Sequence, residues 1–125
     1  MALTEEIFSY RRLVVYQHSR KYVKDIYSLT KNFPREELFA LSSQMRRAAV
    51  SITSNIAEAM GRFSDKDKLH FIEFAFGSLY ETMSQIEVAL DFNYITQEQY
   101  NDIEQQVLDI SKMLSGLRNS LNRNL

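Results

Sequence analysis

The residues best suited to chemistry lie close together in the stretch 41–61. Arg47, Ser51, Asn55 and Glu58 recur there at steps of three and four. That spacing places a guanidinium, a hydroxyl, an amide and a carboxylate along one face of a helix. Such a strip can bind a ligand or nucleic acid, join two subunits, or hold neighbouring helices in register, because buried polar groups need hydrogen-bonding partners. The residue types alone leave these alternatives open.

A second polar strip at helical spacing occurs in the stretch 78–85. If the two helices are antiparallel neighbours, Asn55 and Glu58 are expected to contact the hydroxyl and the amide of this second strip. Arg47 is expected to reach toward Glu81, because a buried charge is costly without a partner. The predicted polar network comprises Ser51, Asn55, Glu58, Ser78, Glu81 and Gln85.

Signatures of catalysis and of metal binding are missing from the sequence. There is no cysteine, which excludes disulfides, thiolate metal sites and a cysteine nucleophile. His18 and His70 do not have a metal-binding spacing, and Asp67-x-x-His70 occurs once, near a helix start. Three glycines leave no glycine-rich loop for phosphates. The sequence therefore predicts no catalytic residue, no metal and no cofactor, and a protein that is not an enzyme.

Charge is divided unevenly along the chain, although the net charge is only −1. Residues 1–62 contain ten Lys/Arg and six Asp/Glu, whereas residues 63–125 contain five and ten. This asymmetry is typical either of a basic face for a polyanion or of complementary surfaces that meet between helices or subunits. The candidate nucleic-acid-binding residues are Arg11, Arg12, Arg20, Lys24, Arg46 and Arg47.

Long helices must position these residues, because three glycines and one proline are too few for the turns of a strand-rich fold. Apolar residues step by three and four along four segments, and examples are Tyr22, Ile26, Leu79, Ile86, Ile110 and Leu114. The segments cover residues 13–33, 37–61, 65–93 and 97–122. Short connections between them predict an all-α, antiparallel up-down-up-down four-helix bundle that forms a single domain over residues 1–125.

The connections carry recognisable start and stop signals. Pro34 ends the first segment, and the second begins either close to it or after a break around residues 39–40. Gly61 is expected to end the second segment in a left-handed conformation. Ser64 is the predicted N-cap of the third segment, and Thr96 begins a capping box before the fourth. Gly77, in mid-helix, is expected where another backbone comes close.

Several blocks of the chain resemble the bacterial four-helix bundle family that is encoded in rRNA intervening sequences. They are YRRL at residues 10–13, SQMRRAAVSI at 43–52, NIAE at 55–58, GSLxE at 77–81 and ISKMLxGL at 110–117. The resemblance implies a homopentameric ring, because members of that family form such rings. It also implies nucleic-acid binding, because the family is related to accessory variability proteins of retroelements, which bind RNA and a reverse transcriptase. Thr53 and Ala59 depart from the family pattern, which usually has proline and glycine there.

The function predicted from residues and resemblance together is a non-enzymatic, homo-oligomeric helical bundle, with a pentamer as the expected assembly. RNA or DNA is the expected partner of its basic surface. In the alternative, the protein is an assembly or adaptor protein whose basic and acidic faces serve subunit or protein-partner contacts. No apolar run approaches the length of about 20 residues that spans a bilayer, so no membrane partner is expected, and the predicted location is the cytoplasm.

Overall fold

The fold is a bundle of four long helices, as seen in a computed structural model that describes residues 2–123. The elements are α1 (Ala2–Ile7), a first 3-10 turn (Ser9–Arg12), α2 (Val14–Thr30), a second 3-10 turn (Arg35–Glu37), α3 (Leu41–Gly61), α4 (Asp65–Asp91) and α5 (Gln97–Asn122). Residues 2–123 contain no β-strand, and the predicted all-α class is confirmed. No helix in this range is both long and apolar enough to cross a membrane.

Contacts between consecutive helices join residues that are a similar number of positions before and after the connecting turn. The side-chain oxygens of Ser51 and Ser78 are 2.8 Å apart across the α3–α4 turn. Across the α2–α3 turn, Arg46 Nε donates to Thr30 Oγ1 at 2.9 Å. Antiparallel neighbours produce this pattern, and α5 completes the four-helix bundle by packing on both α4 and α2. The predicted four-helix bundle is therefore confirmed.

The main apolar core runs through the middle of the four-helix bundle. A hydrogen bond crosses it diagonally, because Tyr22 Oη on α2 donates to Thr82 Oγ1 on α4 at 2.8 Å. Thr82 Oγ1 in turn donates to the carbonyl of Leu79 at 2.7 Å, so both buried hydroxyls have partners. The largest fully buried apolar side chains are Tyr22, Ile26, Met45, Ile52, Ile56, Ile72, Leu79, Ile86, Ile110 and Leu114.

The helix ends differ from prediction mainly around the α2–α3 connection. Helix α2 ends at Thr30 rather than at residue 33, and Phe33 folds back into the core before Pro34. The Thr30 hydroxyl donates to the carbonyl of Ile26 at 2.8 Å, and such side-chain bonds compete with the helix. Helix α3 begins at Leu41, after the break that was one of the two predicted starts. Helix α5 has the predicted bounds.

The amino-terminal segment contains a short helix that the sequence did not predict. Residues 2–7 form α1, and the 3-10 turn that follows contacts α2 and α3. Leu3 and Ile7 are four residues apart on α1, and both are exposed. Their side chains therefore add nothing to the core of the isolated chain.

One prediction about glycine is wrong, and a second finds no support within the chain. Helix α3 does end at Gly61, but the chain leaves it through Arg62 in an extended conformation (φ −81°, ψ 153°), and no described glycine has a positive φ. The α3–α4 connection is so short that the chain must extend at once to reach Ser64, which caps α4 by accepting from Asp67 N. A Cβ at Gly77 would meet nothing within 4 Å, so no backbone of the same chain approaches it.

The left-handed residue that a helix end often requires lies instead at Asn93, which has φ 61°. Asn93 N donates to the Leu90 carbonyl at 3.0 Å, and Tyr94 N donates to the Ala89 carbonyl at 2.9 Å. These two bonds form a Schellman motif at the end of α4. Asparagine tolerates this conformation better than most residues other than glycine.

We expect Asn93→Ala to lower the free energy of unfolding by about 1 kcal/mol, because alanine is strained at a positive φ. Asn93→Gly should be neutral or slightly stabilising, since glycine adopts this conformation freely. Urea denaturation measures both changes. Asn101→Ala, on the exposed surface of α5, is the control and should cost nothing. Equal costs for alanine at the two positions would contradict this account.

Candidate nucleic-acid interface

A groove of about 650 Å³ lies along the outer side of α2, next to α3. Arg20, Lys21 and Lys24 line it from α2, and Thr53 lines it from α3. The residues 20 and 24 are four positions apart, so their charged ends lie one above the other on the helix surface. The Arg20 guanidinium also lies 6.0 Å from the centre of the Tyr16 ring, which forms part of the same wall. We call this feature the α2 groove.

A second basic pocket, of about 280 Å³, lies at the carboxyl end of α2. Lys31 and Arg35 line it together with Arg46 from α3, and we call it the Arg46 pocket. The Arg46 guanidinium lies 5.0 Å from the centre of the Tyr27 ring, and its Nε donates to Thr30 Oγ1. These contacts fix the side chain. Its remaining N–H groups are therefore preorganised donors that could bind an anion.

The two pockets form one basic surface, which we call the α2–α3 face. Asp25 is the one carboxylate among the lining residues of the two pockets, and it is held by Lys21 Nζ at 2.8 Å and by Gln106 Nε2 at 2.9 Å. The hydrogen bond and the charge of Asp25 raise the pKa of Lys21. Arg20 and Lys24 form no ion pair with any residue of the range 2–123. Their charges are therefore not neutralised within the described chain.

The amino-terminal arginines lie at one end of this face. Gln17, which lines the α2 groove, donates from Nε2 to the Arg11 carbonyl at 3.1 Å. That bond places the first 3-10 turn, with Arg11 and Arg12, beside the groove. The Arg11 guanidinium lies 4.8 Å from the centre of the Phe8 ring. Arg12 is exposed.

Arg47 is separated from the other candidates. It is exposed and follows Arg46 by one residue, so it points about 100° away around α3. The expected contact between Arg47 and Glu81 is absent, because both side chains lie on the outer surface in water and the burial that would force a pairing does not occur. The structure thus brings all the basic candidates except Arg47 to one face.

Part of the predicted polar network exists at the α3–α4 boundary. The Ser51 and Ser78 hydroxyls are hydrogen-bonded, and Asn55 Nδ2 donates to the Ser51 carbonyl at 2.8 Å and to Ser51 Oγ at 3.0 Å. The small serine side chains let α3 and α4 pack closely, and these two helices form the most extensive pair in the bundle. These three residues form a structural lock between the two helices, which we call the serine lock.

The other three members of the predicted network lie apart from this lock. Glu58 is exposed and faces Arg62 at 3.6 Å, one turn along the same helix. Gln85 donates to Glu81 at 3.2 Å, also within one helix. Gln85 Oε1 is buried without a hydrogen-bonding partner in the described chain. Glu58 is therefore not part of a buried network. It lies about one turn after Asn55 on α3, and its side chain is exposed to solvent.

Comparison with known proteins is consistent with this architecture. The family model described as "23S rRNA-intervening sequence protein" matches residues 11–116. The chain belongs to this family. A crystal structure of a protein of unknown function from the S23 ribosomal protein family of Bacteroides thetaiotaomicron superimposes with a TM-score of 0.79 at 31% identity. That alignment covers 85% of this chain and 96% of the other. No curated protein matches.

The family match contains every candidate of the α2–α3 face and the whole serine lock. It leaves out α1 and residues 117–122 of α5. The solved relative is itself described as a protein of unknown function, so membership carries the fold to this chain and assigns no activity. Within residues 2–123 no group of three or more His, Asp or Glu side chains could hold a metal ion.

The sequence-based list missed three cations of the α2–α3 face, namely Lys21, Lys31 and Arg35. Lys31 could have been found from its spacing, since it lies seven residues after Lys24 on the same stripe of α2. Arg35 could not, because it follows the helix end, and its position depends on how the chain turns after Pro34.

Arg46 and Arg47 are expected to differ in their contribution to stability. Arg46→Gln removes the hydrogen bond to Thr30 and the packing on Tyr27, and should lower the free energy of unfolding by about 1 kcal/mol. Arg47→Gln should change it by less than about 0.5 kcal/mol, because that side chain is exposed. Urea denaturation of the two variants at equal protein concentration makes the comparison. A larger effect at Arg47 would contradict the assigned contacts.

Proposed function

We propose that this protein is a non-catalytic, self-assembling helical bundle that binds the phosphates of RNA or DNA through its α2–α3 face. The observation that carries the proposal is the juxtaposition of the α2 groove and the Arg46 pocket. Together they collect cations from two helices and a turn, and their one lining carboxylate is already paired with Lys21. Such a cluster attracts a polyanion and gains free energy by releasing its counterions.

The arrangement of these cations supports backbone recognition rather than the reading of bases. Arg20 and Lys24 lie one turn apart on a convex helix, and Lys31 follows two turns later, so the charges are spread along about 16 Å. A linear array of this kind follows a chain of phosphates. The rings of Tyr16 and Tyr27 are each covered on one side by an arginine, which makes them poor surfaces for base stacking.

Self-assembly is supported by apolar side chains that the isolated chain leaves in water. Phe39, Phe63 and Phe92 are all strongly exposed, and exposed aromatic surface of this kind is typical of protein contacts. The pentameric ring implied by the family resemblance is the assembly that we propose. Light scattering should give a mass near five times the 14.7 kDa of one chain. A monomer at micromolar concentration would contradict this part of the proposal.

A salt titration tests nucleic-acid binding. A fluorescent RNA stem-loop is titrated with the protein at several KCl concentrations, and its anisotropy gives Kd. We expect Kd below about 10⁻⁴ M at physiological salt and a linear fall of log affinity with log salt. The double variant Arg20→Gln, Lys24→Gln should bind at least about 10-fold more weakly, and the salt slope should fall by about 2, because two phosphate contacts are lost.

The matched control is the double variant Lys66→Gln, Lys112→Gln. It removes the same charge from exposed positions on α4 and α5 that line neither the α2 groove nor the Arg46 pocket. Its affinity and salt slope should stay close to those of the unmodified protein. Equal losses in the two double variants would mean that only net charge matters, and the proposed site would be rejected.

The alternative is an assembly or adaptor protein in which the α2–α3 face contacts acidic protein surface. Glu87 and Glu104, which form no ion pair within residues 2–123, favour this alternative because they offer unmatched negative charge. The same variants distinguish the two functions. If Arg20→Gln, Lys24→Gln lowers the mass by light scattering, the face serves subunit contact, and if mass is kept while RNA binding is lost, it serves nucleic acid.

A further inference from the structure

A long groove between α4 and α5 lies on the opposite side of the bundle from the α2–α3 face. Two adjoining hollows of about 430 Å³ and 240 Å³ share Tyr80 and Ser111, so they form one continuous channel. On α4 it extends from Glu73 to Glu87, which corresponds to about 21 Å at 1.5 Å per residue. We call it the α4–α5 groove. It is long enough for about four turns of a helix.

The floor of the α4–α5 groove is partly apolar and partly very small. Met83, Val107 and Leu108 supply the apolar part at one end. At the other end, Gly77, Ser111 and Ser115 share the lining with Phe76 and with the ion pair between Arg118 and Glu73, at 3.6 Å. Tyr80 is 67% exposed and Leu108 is 49% exposed, so the described chain leaves this apolar surface in water. Gly77 costs about 1 kcal/mol in the middle of a helix, and nothing in its own chain requires it. Glycine would be required at this position if the backbone of another chain packed against it.

Carboxylates flank the apolar end of the α4–α5 groove. Glu87 on α4 and Glu104 on α5 both line it, and neither has a cationic partner within residues 2–123. Tyr100 Oη donates to Glu104 Oε2 at 3.4 Å, and partial burial together with the charges of Glu104 and Glu87 raises the pKa of Tyr100. Two like charges across an apolar channel are stabilised by a cation placed between or above them.

We propose that the α4–α5 groove binds an amphipathic helix of another protein, whose apolar stripe lies on Tyr80 and Leu108 and whose Lys or Arg side chains pair with Glu87 and Glu104. Helix-in-groove recognition uses apolar anchors at helical spacing, and opposite charges at the rim fix the partner. The proposal concerns a different face from the α2–α3 face and does not depend on nucleic-acid binding.

A second copy of this chain is a poorer occupant. The apolar stripes of α2 to α5 are already inside the bundle, and the exposed apolar residues of α2, Val14 and Tyr27, are thirteen positions apart. Helix α1 does present the pair Leu3 and Ile7, but it has only six residues and carries an exposed glutamate, Glu6, which Glu87 and Glu104 would repel. A basic helix from a different protein matches both the apolar floor and the two unpaired carboxylates at this end of the groove.

Two synthetic helical peptides of about 14 residues test the proposal. Both have leucine at positions i, i+4, i+7 and i+11, and they differ only in carrying lysine or glutamate beside that stripe. Each is labelled and titrated with the full chain, and anisotropy gives the affinity. We expect the lysine peptide to bind at least about 10-fold more tightly than the glutamate peptide, because opposite charges attract and like charges repel across the rim. Equal binding of the two, or no binding of the lysine peptide, would overturn the proposal.

Variants of the groove make the test specific. Glu87→Lys with Glu104→Lys should reverse the preference, so that the glutamate peptide binds more tightly. Leu108→Lys should weaken both peptides at least about 10-fold, since it places a charge on the apolar floor. The control Glu6→Lys with Glu36→Lys changes net charge equally at exposed positions elsewhere and should leave the preference unchanged. All substituted residues are exposed, and circular dichroism checks that each variant folds.

Light scattering of the same variants distinguishes a helix of another protein from a second copy of this chain as the occupant of the groove. If Leu108→Lys lowers the mass of the protein alone, the groove is filled by a second copy and the proposal is wrong. RNA binding by the groove variants should be no weaker than that of the unmodified protein, because the α2–α3 face is intact and the added lysines can only attract RNA. The proposal can therefore fail while nucleic-acid binding stands, and the reverse also holds.

Discussion

Replacing Tyr22 by alanine should lower the free energy of unfolding by about 3–5 kcal/mol, the largest effect that we expect from a single substitution in this chain. The ring is fully buried at the centre of the bundle, where it contacts side chains from several helices. Its removal leaves a cavity that the surrounding helices cannot fill without moving. The Thr82 hydroxyl also loses the donor that crosses from α2 to α4. The melting temperature should fall by about 10–20 °C.

Two further variants separate the ring from the hydroxyl. Tyr22→Phe keeps the ring and should cost only about 1 kcal/mol, the typical value of one hydrogen bond. Tyr80→Ala removes an equally large side chain from the surface and should change stability by less than about 0.5 kcal/mol. Thermal unfolding at one protein concentration gives all three values, because assembly makes the melting temperature depend on concentration. A small effect of Tyr22→Ala would mean that the diagonal packing is wrong.

The second large effect is a loss of stability in alkali. Burial raises the pKa of Tyr22 to about 12, against 10.0 for a free tyrosine. The folded protein therefore keeps this proton at a pH at which the unfolded chain has released it. The resulting stabilisation is complete below pH 10 and is lost as the pH rises through 10 to 12. At about 1.4 kcal/mol per unit of pKa, the loss amounts to roughly 2–3 kcal/mol.

Urea denaturation at about pH 8, 10 and 11 measures this loss, and Tyr22→Phe is its control. The phenylalanine variant should begin less stable at pH 8 but lose less stability on going to pH 11. The pKa values of Tyr94 and Tyr100 are also raised, and both residues remain in the two proteins. Their contribution to the loss of stability in alkali is therefore the same in both. Parallel pH curves for the two proteins would contradict the assignment to Tyr22.

Much of this fold could be predicted from the sequence, because the helices are amphipathic and their starts are marked. Thr96 and Gln99 form both bonds of the capping box, and Ser64 caps α4 as its sequence context indicates. The end of α4 could not be predicted in the same way. Its left-handed residue is Asn93 rather than a glycine, and which residue adopts that conformation depends on how Tyr94 packs against Phe33 at 5.3 Å.

The candidate site was predictable in composition and less so in arrangement. Helical spacing correctly brings Arg20 and Lys24 together, because one helix carries both. It cannot show that Arg46, from the next helix, lies near Thr30, since that contact depends on the register between α2 and α3. The serine lock was predicted for the same boundary as Glu58 and Gln85, yet only Ser51, Asn55 and Ser78 meet there. A pattern of polar residues does not reveal which of them the neighbouring helix covers.

The hydrogen bond from Tyr94 Oη to Glu37 Oε2, at 2.8 Å, joins the α2–α3 turn to the α4–α5 turn. The Phe33 ring packs on the same tyrosine, so this pole of the bundle is fastened twice. The other pole contains the start of α2, the end of α5 and a single helix connection. Amide hydrogen exchange should therefore be slowest around residues 26–33 and 86–95, with a gradient toward the termini. Arg46 lies near the slow pole, so we expect the contacts that hold this anion-binding cation to open less often than those at the other pole.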